Sequence, residues 1–195
     1  MVDLTPATRR LADLVSRVRD DELSGPTPCP AYTLGDLIEH VGGLALAFRA
    51  AAEKDIASPY VNGTSPGDAA RLQGDWRERI SADLATLAEA WAKPEAWTGM
   101  TRIAEQDQPA EIVGVVVADE LVVHGWDVAR ATGQPYSAEP ELLDAAQTFL
   151  GFFASPDAPA GPEVAFGPSR PVDDDSAPLD RVVALAGRDP AWAAG

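Results

Sequence analysis

The run AEIVGVVVADELVVHGWDVARA, residues 110–131, decides more about the fold than any other stretch of the chain. It is preceded by Pro109 and followed by Gly133, residue types that fall naturally at the start and just past the end of a helix. At about 100° per residue, Val113, Val116, Val117, Glu120, His124, Asp127, Val128 and Ala131 fall within one sector. Glu120 and His124 therefore stand in the middle of an inward-facing stripe where packing alone would place Leu or Val. A lone buried carboxylate is expensive unless it is paired or bound to a metal. At i and i+4 the two side chains lie one turn apart and converge. The opposite face, with Val115, Ala118, Val122 and Trp126, is apolar too. A helix with two apolar sides needs a second cover, either the C-terminal segment or another subunit.

Working outward, the same periodicity marks further helices. Thr5 reads as an N-cap with Pro6 at the first helical position, followed by Leu11, Leu14, Val15 and Val18 on one stripe. The prolines at 26, 28 and 30 break the chain before Thr33 and Asp36, which resemble a capping box opening a second helix. Its stripe is Leu37, Val41, Leu44 and Phe48, with His40 on the flank. Residues 55–68 read as a long crossover loop. A third helix is expected through Leu72, Trp76, Ile80, Leu84, Leu87 and Trp91, and a fifth from Glu139 to Phe153. A Pro/Ala/Gly-rich stretch over 154–163, a short strand over 163–166 and a last helix over Leu179, Val182, Val183 and Ala186 complete the reading. The class is all-α: a helical bundle over 1–153 with a C-terminal extension, 154–195, packed on it.

Composition narrows the function. Among 195 residues there are 15 basic and 31 acidic side chains, a net charge of −16, which opposes nucleic acid and anionic membrane partners. No apolar run is long enough to span a bilayer, and the start lacks the pattern of a signal peptide. One cysteine allows no internal disulfide and fits a reducing compartment, so a cytoplasmic location is the expectation.

The chain has only two histidines, and both lie on inward-facing helix surfaces. With Glu120, His40 and His124 make the two-His, one-carboxylate set of a catalytic zinc site or a non-haem iron triad. Each element alone has an ordinary reading, a surface ion pair or a core hydrogen bond; their conjunction is what points to a metal. Cys29 reads as a small packing residue between two prolines rather than a nucleophile. Asp127 either orients the His124 ring or caps the helix end. Trp76, Trp91 and Trp97 read as core, and Arg79 and Arg130 as surface partners.

The run from Thr27 to His40, TPCPAYTLGDLIEH, and the later DELVVHGWD from Asp119 to Asp127 resemble the metal-binding domain of mycothiol-dependent maleylpyruvate isomerases, within the DinB-like superfamily. The resemblance implies an up-down-down-up four-helix bundle and a divalent metal on His40, Glu120 and His124. Zinc leads, with nickel or iron as alternatives. It also implies a low-molecular-weight thiol such as mycothiol, an electrophilic substrate and a transferase or isomerase activity, in a monomer or homodimer. The alternative is a non-catalytic metal-binding or interaction module. The closing run from Ala177 to Pro190 resembles an actinobacterial subgroup described mostly as metal-binding. Two departures stand out. Ala31-Tyr32 replaces the Gly-Trp of many relatives, and the tail after 153 is too short for the isomerases' second domain, so maleylpyruvate itself is not implied.

Overall fold

The computed structural model describes residues 1–61, 66–153, 168–173 and 175–194. The elements within them are α1 (Thr5–Ser16), α2 (Leu34–Glu53), α3 (Trp76–Trp91), β1 (Met100–Ile103), β2 (Gln106–Pro109), α4 (Ala110–Ala131), α5 (Pro140–Phe153) and α6 (Pro178–Leu185). The strand expected over 163–166 lies outside the described residues. Helix α1 packs on α3 and α4, and α2 packs on the same two helices, so the four close around one core. The fold is the expected helical bundle, with one small two-stranded hairpin among the described residues. No helix among the described residues is long and apolar enough to cross a membrane.

Local chemistry explains most boundaries. Helix α1 begins at Thr5, one residue earlier than a Thr5 cap implies, because the Asp3 carboxylate accepts from the Thr5 amide at 2.9 Å and takes over the capping role. At α2 the capping box forms as expected: the Asp36 amide donates to Thr33 Oγ1 at 3.3 Å, and the Thr33 amide to Asp36 Oδ2 at 3.1 Å. Helix α3 starts at Trp76, later than expected, since residues 69–71 form a separate single turn and Leu72 is extended. Trp76, Trp91 and Trp97 are core. Trp91 Nε1 donates to the Phe48 carbonyl at 3.0 Å, and Trp97 Nε1 to the Trp91 carbonyl at 2.7 Å, so neither indole is buried unsatisfied.

The β1–β2 hairpin lies between α3 and α4, where no strand was expected. Its two-residue turn places Ala104 (φ 49°) and Glu105 (φ 63°) in the left-handed region that such turns require. Neither residue type advertises that conformation. The hairpin is tied to α2 by Thr101 Oγ1, which donates to the buried Ala51 carbonyl at 2.6 Å.

Helix α4 runs over the residues predicted and is covered on both sides from within the chain. Its back residues Ala118, Val122 and Trp126 are buried, with α5 packed along the helix and α6 seated on α5. Tyr136, in the α4–α5 connection, donates its hydroxyl to the Val122 carbonyl at 3.0 Å.

One residue of this back face is out of character. Asp119 is fully buried, and neither carboxylate oxygen has a hydrogen-bond partner. Burial, with the Glu120 charge beside it, pushes its pKa well above the usual carboxylate range. The folded state therefore binds a proton that the unfolded chain releases above 3.8. Stability falls by about 1.4 kcal/mol per pH unit from there to the folded-state pKa. Asp119→Asn has no such proton, so its stability relative to wild type should climb steadily from about pH 4 upward. Denaturant unfolding at several pH values checks this, and parallel stability curves for the two proteins would contradict it.

Candidate metal centre

The Thr33 cap sets the start of α2 and brings His40 to the inner face two turns later, opposite the middle of α4. One ligand atom from each of His40, Glu120 and His124 lies within 4.8 Å of the other two. The two imidazoles meet edge to face, centroids 5.3 Å apart. Around a tetrahedral zinc, donors at about 2.1 Å would sit about 3.4 Å from one another, so a small contraction would close this triangle on an ion. His40 Nδ1 is buried with no hydrogen-bond partner, which leaves a nitrogen of that ring uncommitted. The residues present fit a divalent metal.

The rest of the cluster is a chain of hydrogen bonds running inward. His124 Nε2 meets Glu120 Oε2 at 2.9 Å, and its Nδ1 meets Asp127 Oδ2 at 3.1 Å. Asp127 is in turn held by Arg188, whose Nη2 donates to Oδ2 at 3.0 Å and whose Nε points to Oδ1 at 3.4 Å. Arg188 Nη1 donates to the Ala186 carbonyl at 2.7 Å. The side chains grow more buried along this chain, from 19% exposed at Glu120 through 8% at His124 to 0% at Asp127. The site is part-exposed at the Glu120 end and sealed at the Asp127 end.

The two histidines are electrostatically opposite. Burial, helped by the charge on His124, pulls the His40 pKa down to about 4, so its ring is neutral across the physiological range. Burial also opposes charge on His124, but hydrogen bonds to Asp127 and Glu120 outweigh it and push the pKa up to about 10. Glu120 is disfavoured as an anion by burial, yet the His124 hydrogen bond holds it below its ordinary value. Asp127 is likewise held down against burial, chiefly by the Arg188 charge.

A wall from two loops closes over His40. The Tyr32 ring lies 5.2 Å from the His40 ring, and its hydroxyl accepts the Gly67 amide proton at 3.3 Å. Residue 67 has to be glycine, because a Cβ there would overlap the Asp36 carbonyl and crowd the His40 Cβ. The crossover is clamped to α2 by the Ala69 amide on Asp36 Oδ1 at 2.8 Å and by Arg71 on Glu39 at 2.7 Å.

All three residues read from the sequence as ligands thus come together. Asp127 takes the orienting role of the two considered for it. Cys29 is half-buried and stands outside the ligand cluster. Arg79 pairs with Asp75 at 3.1 Å, whereas Arg130 lies over the Trp126 ring and donates to the Pro190 carbonyl at 2.9 Å. Two neighbours were missed. Tyr32, read only as a loop variation, packs on a ligand; Arg188 arrives from 61 residues beyond Asp127 and has no local signal. In metal-free protein, imidazole resonances followed by NMR should show His124 protonated until about pH 10 and His40 neutral above about pH 4. A His124 that titrates near its ordinary value of 6.5 would mean that the carboxylates do not hold it.

Comparison with known proteins agrees with this architecture. An uncharacterized protein of Mycobacterium tuberculosis strain CDC 1551 / Oshkosh is 31% identical over 183 residues, spanning 91% of each chain. Its counterpart in strain H37Rv matches to the same extent. A crystal structure of a mutant mycothiol-dependent maleylpyruvate isomerase superposes with a TM-score of 0.57 at 18% identity, over 75% of this chain and 65% of that one. That likeness concerns the fold, and this chain spans just under two thirds of the isomerase. Residues 4–129, which contain all three clustered side chains, match the family profile described as the mycothiol maleylpyruvate isomerase N-terminal domain, and the chain belongs to that family.

Proposed function

We propose that this protein binds one divalent metal ion through His40, Glu120 and His124 and serves a reaction between a low-molecular-weight thiol, of mycothiol type, and an electrophilic small molecule. The convergence of the three donors on one point, from helices about eighty residues apart in sequence, carries the reading. Zinc suits this donor set best, with nickel and iron as the other candidates. Among the described residues no fourth Cys, His, Asp or Glu joins the cluster. Three protein donors are the pattern of catalytic sites, which keep a position for an exogenous ligand. When bound, the ion would lower the pKa of a coordinated thiol and so keep it nucleophilic at neutral pH.

The chain's own side chains prepare the site. Neutral His40 offers its lone pair without losing a proton. The Asp127 carboxylate accepts from His124 Nδ1 and leaves Nε2 directed toward Glu120. Tyr32 and Gly67 screen His40 from one side, while the part-exposed Glu120 edge is the approach for small molecules.

Metal analysis is expected to find one ion per chain in wild type, with tight binding lost in His40→Ala, because Glu120 and His124 alone supply only two donors. Consumption of mycothiol thiol in the presence of an electrophile should disappear with the ion. Undiminished metal in His40→Ala would overturn the proposal.

The proton balance gives a second check. At pH 7 metal-free His124 carries a proton on each nitrogen, while a ligating His124 must free one nitrogen; His40 has none to lose. Uptake should therefore release about one proton per ion, with affinity rising about tenfold per pH unit near neutrality. Calorimetry in buffers of different ionisation enthalpy measures the number, and a value near zero would mean that the ion displaces no proton from His124.

A further inference from the structure

The ligand cluster ends on a residue that belongs to neither α2 nor α4. Helix α6 stops at Leu185, and the chain turns at Gly187 with φ of 82°, a left-handed conformation suited to glycine. The Gly187 amide donates to the Ala184 carbonyl at 3.0 Å and the Arg188 amide to the Val183 carbonyl at 2.9 Å. That pair of bonds is the Schellman motif, and it fixes the direction in which residue 188 leaves the helix. Arg188 is thereby sent inward, where it is 5% exposed. Its guanidinium lies within electrostatic reach of Cys29 and Glu120 and holds both oxygens of Asp127.

Resting on the metal reading above, we propose that Arg188 is a positioning residue of the metal centre, so that the C-terminal segment is a component of the site and not only a cover for α4. A carboxylate paired with a guanidinium only accepts hydrogen bonds. With Asp127 pinned in that way, the His124 ring donates through Nδ1 and keeps its plane, and Nε2 remains directed at the other donors. Without Arg188, the Asp127 carboxylate is free to rotate about its side chain, and the ring loses its fixed orientation. Outer partners of metal-ligating histidines typically govern affinity by 10–100-fold.

The test is zinc affinity, measured by competition with a chromogenic chelator on full-length protein. Arg188→Gln and Asp127→Asn should each weaken binding by at least about tenfold. The double variant replaces the buried ion pair by two neutral amides, which protects the fold from an unpaired charge. It should bind no more weakly than Asp127→Asn alone, because both residues act along one path. Arg170→Ala removes different C-terminal contacts, the 3.4 Å pair with Asp189 and a 3.3 Å hydrogen bond to the Gly187 carbonyl, and should leave affinity unchanged because the backbone bonds of the Gly187 turn remain. In zinc-loaded wild type the His124 Nδ1 proton should be a slowly exchanging NMR signal that is lost in Arg188→Gln. Wild-type affinity in Arg188→Gln or in the double variant would overturn the inference while leaving the metal reading standing. An equal loss in Arg170→Ala would also overturn it, since general docking of the segment would then suffice. A wild type that binds no zinc would instead remove the underlying metal reading, and this inference with it.

Discussion

Burying the Glu120–His124–Asp127 series on α4 is the constraint on which the rest of the structure depends. Three ionisable groups within two turns of a largely buried helix are not tolerated unless their charges cancel locally. They do cancel in the metal-free protein. The His124 imidazolium lies between two carboxylates, and the Arg188 guanidinium balances the second of them. Burial opposes charge on both histidines, yet their pKa values move in opposite directions, because two carboxylates hydrogen-bond to the His124 ring and none does to His40.

That balance explains why so many separate segments converge on one place. Asp36 caps α2 with one carboxylate oxygen and holds the crossover with the other, so a single side chain links the start of the His40 helix to the Tyr32–Gly67 wall. At the far end, a helix stop after α6 delivers the balancing cation. The bundle supplies the donors, and loops and tail determine how they are held.

How far the sequence could be read follows from the range of each interaction. The bounds of α4 and the pairing of Glu120 with His124 depend on a four-residue spacing, which any helix enforces. His40 was reachable because a chain with two histidines offers one other candidate. The hairpin escaped notice because Ala104 and Glu105 hold left-handed conformations that their residue types do not favour. Arg188 escaped because an ion pair across 61 residues leaves no local trace; the Ala186-Gly187-Arg188 stop signals where the helix ends but not what the arginine meets. Asp119 shares the back face with Val122 and Trp126 by helical spacing, so a count of that face as wholly apolar overlooked its one carboxyl.

Charge also bears on what the site would accept. With Glu120, Asp127, protonated His124 and Arg188, the local sum is zero. Exchanging the His124 proton for a dication raises the sum to plus one, in a region where an unbalanced charge is poorly solvated. An anionic ligand restores neutrality and a neutral one does not. A thiolate has the required charge, and so does hydroxide, but a thiolate is the softer donor and pairs more readily with a zinc-class ion. The acidic surface of the protein, at a net charge of −16, opposes the approach of ligands that already carry several negative charges. A thiol that arrives neutral and loses its proton at the metal avoids that repulsion and still supplies the missing negative charge. This favours low-molecular-weight thiols over preformed polyanions as the ligands of the proposed centre.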